Sequence, residues 1–314
     1  MDKLPAQAVS GEQAGLTLAA LLRVRMPGVS WSRIKALIDA RRVTVRGELC
    51  RDPARRLKEG DVVELLARPL PPPRSPEEMV LRHLDEHLVV VEKPAGMNTV
   101  RHPAELQWTQ RRKELSPTLQ DLVPAAIARR TGHRGPRLRV VHRLDKETSG
   151  LLVFARSVAA ESGLGKQFHA HTVVRRYLAI VWGHPSDGVI RSTLVRDRGD
   201  GRRGSGEGGK LAVTHVETVE DLGSYSLVRC RLETGRTHQI RIHLSEQGHP
   251  VAGDKVYHLR ADGVELPDGS GASRLMLHAA ELGFTHPITG ETLHWEMGLP
   301  SDMQQLLARL RKGA

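Results

Sequence analysis

The nine residues HRLDKETSG, positions 142–150, hold the chain's most suggestive grouping of reactive side chains. Asp145 lies between two apolar runs, RVV and LLVFA, with Arg143 and Lys146 beside it and Glu147 close by. A carboxylate at a turn among cations can stay ionised and serve as a nucleophile or a base. The same pattern suits a turn Asp that makes only local backbone hydrogen bonds, followed by the polar Thr148-Ser149-Gly150. The segment alone leaves both readings open, and the local turn is the commoner one. A hydrolase pairing Asp145 with Glu147 would need a second, separately tuned acid, and the local sequence supplies no convincing one.

Sixteen histidines invite a metal reading. His169 and His171 sit in HAH, and His238 and His243 in RTHQIRIH, but neither pair has a convincing third ligand. A five-residue spacing matches neither the helix face of an HExxH site nor a strand face. No metal site is therefore expected, and His142 and His238 read as hydrogen-bonding scaffold. RDRGDGRRGSGEGGK is glycine-rich, but it lacks the Lys-Ser/Thr ending and the strand–helix context of a phosphate cradle, so it reads as a flexible loop.

Strands must position Asp145. LVVVEKPAGMNT reads as an apolar strand with a tight turn, and RLRVVHRLDKETSGLLVFAR as strand, polar turn, strand. VVRRYLAIVWG is a further strand, and THVETVEDLGSYSLVRCRLETG a hairpin. RTHQIRIHL opens either a helix or a strand. Abundant strands with few alternating crossover helices predict an α+β fold with a mixed, mainly antiparallel sheet.

The N-terminal region has a different pattern. Residues 1–14 are small and polar, and fraying is expected. Leu18, Leu21 and Leu22 recur at helical spacing until Pro27-Gly28 ends the run. Ser30 suits the N-cap of a second helix, in which Ile34, Leu37 and Ile38 form an apolar stripe and Arg33 and Lys35 face elsewhere. VTVRGELCRDPARRLKEGDVVELL then reads as short strands with turns at RGE and KEGD. ARPLPPPRSPEE, residues 67–78, reads as a stiff interdomain linker.

Charge supports this division. The net charge is +11, and 37 of the 47 basic residues are Arg, whose planar fork suits phosphate. Residues 15–60 hold 11 basic and 4 acidic residues, so more than half of the excess lies in about a seventh of the chain. Such clustering points to a polyanion, with nucleic acid ahead of membrane. Cys50 and Cys230 are far apart, which gives no disulfide framework and suits a reducing cytoplasm. No apolar run approaches the ~18 residues of a membrane span, and the first residues lack an apolar signal region.

Two resemblances follow from these segments. LTLAALLRVRMPGVSWSRIKALIDARRVTVRGELCRDPARRLKEGDVVELL resembles the small RNA-binding domain first described in ribosomal protein S-four. It implies binding of structured RNA, with Arg33, Lys35, Arg41 and Arg42 among the contacts. HRLDKETSGLLVFAR resembles the catalytic motif of the RluA-type pseudouridine synthases. DEHLVVVEKPAGM, RRYLAIVWGHP, KLAVTHVETVE, LETGRTHQIRIHLSEQGHPVAGDKVY and RLMLHAAELGFTHPITGETLHWEMGLP resemble the rest of that family in the same order, over about residues 85–300.

The second resemblance implies the pseudouridine synthase fold and a base-flipping isomerase that needs no cofactor or metal. Such an enzyme breaks the N-glycosidic bond of a uridine, rotates the uracil and rejoins it through carbon 5. Carried over by position, Asp145 is the nucleophile and Tyr177 stacks on the uracil. Arg241 pairs with Asp145, although Arg236 stands five residues earlier in the same motif as the alternative partner. Arg143 fills the space left by the base or contacts its phosphate, and Arg236 joins the RNA contacts.

The expected organisation is a flexible N-terminus (1–14), an S-four-like domain (15–66), a linker (67–78) and a catalytic domain (79–314) in a cytoplasmic monomer. Large-subunit ribosomal RNA is the expected partner, because the appended domain suits a large folded substrate. Transfer RNA, or a non-catalytic role in RNA assembly, is the alternative. NTVRHPAELQWTQRRKELSPTLQDL is longer and more basic than the family's usual link, and the loop near Arg202 is unusually rich in glycine, so the target uridine is left open.

Overall fold

A computed structural model describes residues 4–70, 75–76, 79–133, 135–198, 202–258 and 268–313. The chain divides into two compact units, one formed by Met1–Arg74 with Ala104–Pro117, the other by Ser75–Pro103 with Thr118–Ala314.

In the first unit, strand β1 (Leu4–Ala8) precedes helices α1 (Leu18–Arg25) and α2 (Trp31–Asp39). Strands β2 (Val43–Val45), β3 (Glu48–Leu49) and β4 (Val62–Leu65) follow, and α3 (Gln110–Leu115) lies in the later segment. Thr17 and Ser30 cap the two main helices by accepting from Ala20 N and Arg33 N, which satisfies donors left open in a first turn. Ile34, Leu37 and Ile38 are buried while Arg33 and Lys35 are exposed, as the apolar stripe predicts. The strands form an antiparallel sheet in the order β1-β4-β2-β3.

Where the sequence suggests fraying, Leu4–Ala8 forms a strand. Leu4, Gln7 and Ala8 pair with β4, and the following Val9 is buried in the unit's core. The open edge of β4 supplies backbone partners that a small polar sequence does not advertise.

The second unit is built on one large sheet. Its strands are β5 (Leu81–Leu84), β6 (Leu88–Lys93), β7 (Arg139–Val140), β8 (Ser149–Ala155), β9 (Val174–Trp182), β10 (Gly188–Val195), β11 (Gly204–Ser205), β12 (Lys210–Asp221), β13 (Tyr225–Leu232), β14 (Leu277–Thr285) and β15 (Thr292–Glu296). Helices α4 (Leu119–Thr131), α5 (Val158–His169), α6 (Gln239–Glu246) and α7 (Ser301–Gly313) complete it. The order is β11-β10-β12-β13-β9-β14-β8-β6-β5, with β15 on β14 and β7 on β8. Among the described residues only β8 and β14 pair in parallel, so the expected α+β fold with a mainly antiparallel sheet is present.

All seven residues of β8 are buried, which explains its unbroken apolar run. Its second residue, Gly150, has φ +123°, and a Cβ there would lie 2.2 Å from the Ala279 carbonyl oxygen of β14. Glycine lets the two strands meet directly after the Asp145 loop. Among the described residues, no helix is long and apolar enough to cross a membrane.

Candidate active site

Asp145 sits in the loop between β7 and β8, and its side chain keeps 18% of its surface exposed. Leu144 is buried, and the Thr99 hydroxyl both accepts from its N–H (3.1 Å) and donates to its carbonyl (2.8 Å). Thr148 N–H donates to the Asp145 carbonyl, closing the turn anticipated from the sequence. Lys93, fully buried at the end of β6, donates to the carbonyls of Pro94 (2.9 Å), Met97 (2.7 Å) and Lys146 (3.0 Å). One ammonium therefore ties the turn after β6 to the turn that presents Asp145. Burial pushes Lys93 down to about 7, and the nearby Glu147 and Asp145 carboxylates oppose that shift.

The segment RTHQIRIHL forms helix α6, and buried polar bonds fix its start. Gln239 accepts from Arg236 N–H and the Thr234 hydroxyl, and its amide donates to the Val213 carbonyl and Thr214 hydroxyl of β12. His238 precedes the helix in a left-handed conformation, φ 60° and ψ 18°. That conformation is uncommon for a non-glycine residue and is held here by the surrounding structure.

This anchoring brings Arg241 to Asp145, with Nη1 3.7 Å from Oδ2. The guanidinium's short bonds go elsewhere: Nε donates to Asp254 Oδ2 at 2.7 Å and Nη2 to Asp254 Oδ1 at 2.8 Å. Asp254 also accepts from the backbone of Val256 and Tyr257, and the Tyr257 ring lies 4.9 Å from the Arg241 guanidinium carbon. Burial disfavours the Arg241 charge, but the bonds and charge of Asp254, with Asp145 behind them, hold its pKa above the ordinary value. Arg236, the alternative partner, donates instead to the Leu211 carbonyl.

Two further groups feel the charge of Asp145. His238 Nε2 is 3.9 Å from Asp145 Oδ2, and its Nδ1 lies 2.9 Å from the Tyr257 hydroxyl. Burial lowers the His238 pKa against the pull of Asp145. Tyr177, in the middle of β9, is buried between Cys230 and Ala279. Burial raises its phenol pKa, Arg175 opposes the rise and the Asp145 charge adds to it. Arg175 is itself buried, bonded to the Glu233 carbonyl and lying over Phe168, which stacks on His142.

The sequence-predicted residues thus divide. Asp145 and Arg241 come together, and the charge of Asp145 reaches Tyr177. Arg143 is exposed beside Asp145. Arg33 and Lys35 lie on the exposed face of α2. Arg41 and Arg42, expected to contact RNA, donate to the carbonyls of Leu70 and Leu66, so each has a bond within its own unit. His142 accepts from Val153 N–H as scaffold.

Asp254, Tyr257, Lys93 and Arg175 were missed. A signal existed for two of them: Lys93 closes an apolar strand run, and Asp254 interrupts the apolar VAG–VY stretch. Among the described residues, Glu281, His294 and Glu296 could converge on a metal, but Glu281 is already held by Arg176 through two 2.7 Å bonds.

This arrangement offers one partly exposed carboxylate, kept company by a fixed guanidinium and a buried phenol. It suits covalent or base chemistry on a small planar group. Comparison with known proteins agrees. The family model described as RNA pseudouridylate synthase matches residues 87–246. The chain is 39% identical over 315 residues to a ribosomal large subunit pseudouridine synthase D of Zymomonas mobilis, covering 95% of each. It is 39% identical to the protein of the same name from Neisseria meningitidis serogroup A, covering 96% of this chain and 80% of that one. The solved structure of human RNA pseudouridylate synthase domain containing 4 superposes with a TM-score of 0.59 at 27% identity, covering 74% of this chain and 92% of that one. The chain belongs to the RNA pseudouridylate synthase family and is, by class, an isomerase that forms pseudouridine in RNA.

Proposed function

We propose that this enzyme isomerises uridine in large-subunit ribosomal RNA, with Asp145 as the nucleophile. The observation that carries the reading is the approach of Arg241 Nη1 to Asp145 while Asp254 fixes the same guanidinium from behind. An immobile cation stands beside the carboxylate without consuming its lone pairs in a short bond. The target base leaves its stack, which costs a few kcal/mol, and Tyr177 replaces that stacking. The carboxylate opens the N-glycosidic bond, the uracil turns, and carbon 5 rejoins the ribose. Atoms are conserved within one nucleotide, so the proposed reaction calls for no cofactor or metal. Arg143, exposed beside the carboxylate, fills the vacated stack or contacts its phosphate.

The proposed division of labour gives residues 15–66 the role of an S-four-like RNA anchor, joined by residues 67–78 to a catalytic domain at 79–314, of which Ala104–Pro117 groups with the anchor's unit. Arg33, Lys35, Arg41 and Arg42 would contact RNA from the anchor, Arg236 from the catalytic domain. The large-subunit names of the similar proteins support ribosomal RNA over transfer RNA. A cytoplasmic monomer fits that substrate.

Pseudouridine mapping of ribosomal and transfer RNA from cells lacking the gene tests the substrate. Loss of a large-subunit signal, restored by wild type and not by Asp145→Asn, is expected. Restoration by the Asn variant would overturn the role of Asp145, and loss confined to transfer RNA would overturn the substrate.

A further inference from the structure

Apart from Arg143, which is exposed, the basic side chains of the motifs around Asp145 are committed to protein acceptors. Arg241 spends Nε and Nη2 on Asp254, Arg236 donates to Leu211, and Lys93 is enclosed by three carbonyls. A flipped nucleotide brings its phosphodiester toward a centre where Asp145 and Asp254 stand against one guanidinium. Like charge resists that approach unless another cation receives it.

Arg203 is placed to do so. It precedes β11, in the glycine- and arginine-rich hairpin between β10 and β12. That hairpin is pinned to α6, the helix that carries Arg241. Glu246 of α6 accepts from Ser205 N–H at 2.8 Å and from the Ser205 hydroxyl at 2.6 Å. On the other side Arg202 reaches the Val256 carbonyl, in the loop between Asp254 and Tyr257. Leu194 and Ala212 of the flanking strands pack with Ile242 and Tyr257. Gly204 permits the close fit, since a Cβ there would meet Arg198 Cδ at 2.6 Å and Glu246 Oε1 at 3.2 Å.

Arg203 is half-buried, and among the described residues it has no hydrogen-bond or ion-pair partner. Its charge nevertheless reaches both His238, whose pKa burial lowers, and Tyr257, whose pKa burial raises, and at each it opposes the effect of Asp145. A cation held at an active site by its backbone, with its fork unspent, suits the oxygens of a phosphodiester.

We propose that Arg203 binds a backbone phosphate next to the target uridine and so holds the flipped nucleotide over Asp145. This rests on the RNA-isomerase reading above and assigns the hairpin a substrate-binding task. The test compares wild type, Arg203→Ala and Arg203→Lys on unmodified large-subunit ribosomal RNA made by transcription. Both kcat/KM and filter-retention affinity are measured across a salt series.

Loss of one charge-assisted bond predicts about a tenfold fall for Arg203→Ala. It also predicts a salt slope shallower by about 0.7 to 0.9, with an unchanged melting temperature. Arg203→Lys restores the slope and part of the rate. No loss, or a loss with an unaltered salt slope, would overturn the assignment. If wild type forms no pseudouridine in this RNA, the substrate reading fails, while the salt slope of binding still decides Arg203.

Discussion

Arg241 and Asp254 form a bidentate ion pair in the candidate active site, two parallel bonds of 2.7 and 2.8 Å between side chains that are 9% and 0% exposed. Asp145 is thus accompanied by a cation whose own orientation is set by a second carboxylate. Asp145 then contacts Arg241 at 3.7 Å, near enough for charge stabilisation and too far for a competing short bond.

Asp254→Asn should therefore harm catalysis through Arg241. The amide preserves shape but presents donors to a donor, so the guanidinium loses its fixed position. We expect kcat to fall at least about tenfold with KM little changed, since the interaction lost acts in the transition state. Asp254→Ala should in addition lose about 3–5 kcal/mol of stability, the cost of leaving a buried charge unpaired. Steady-state kinetics and denaturant melts separate the two. A normal kcat in Asp254→Asn would show that Arg241 needs no second carboxylate.

Deleting residues 1–66 should weaken RNA binding and flatten its salt dependence, because those residues hold the densest cluster of basic charge. Turnover at saturating RNA should survive better than affinity. An unchanged salt slope in the truncated protein would show that the anchor lies elsewhere.

Acid should destabilise the fold through buried histidines. Burial lowers His142 to about 3 and His243 and His278 to about 4, against an ordinary value of 6.5. The unfolded chain takes up these protons first as pH falls. The stabilisation is complete above 6.5 and is lost progressively down to about 4, by up to about 1.4 kcal/mol per pH unit for each histidine. Lys93, lowered to about 7 by burial, acts in the same direction at higher pH: its cost to folding is full below 7 and is relieved between 7 and 10.5. Melting temperatures recorded between pH 4.5 and 7.5 check the histidine window. A flat profile would mean that these side chains take up protons as readily in the fold as in the unfolded chain.

Gly150→Ala should not fold to an active enzyme. Its Cβ would enter the space of the Ala279 backbone, and the positive φ adds strain. Soluble yield and near-UV circular dichroism report the outcome. A native spectrum with full activity would show that β8 and β14 can separate without loss.

Much of this protein is written locally. The apolar stripe of α2, its Ser30 cap, the strand runs and the β12–β13 hairpin follow from periodicity and turn residues, which act over a few positions. Ordered motifs around Asp145, Tyr177 and Arg241 carried the family, and with it the chemistry. Local pattern could not decide whether RTHQIRIHL was helix or strand, because the answer lies in bonds from Gln239 to β12, about 25 residues upstream. Nor could it show that Leu4–Ala8 would find the open edge of β4.

The same limit applies to Asp145. Sequence singled out this carboxylate and suggested a cation for it, but sequence spacing does not encode distance across a fold. Only the tertiary structure decided that Arg241 faces it, that Arg236 turns to Leu211, and that Asp254 holds the guanidinium between them. Directional bonds between distant buried groups made that choice.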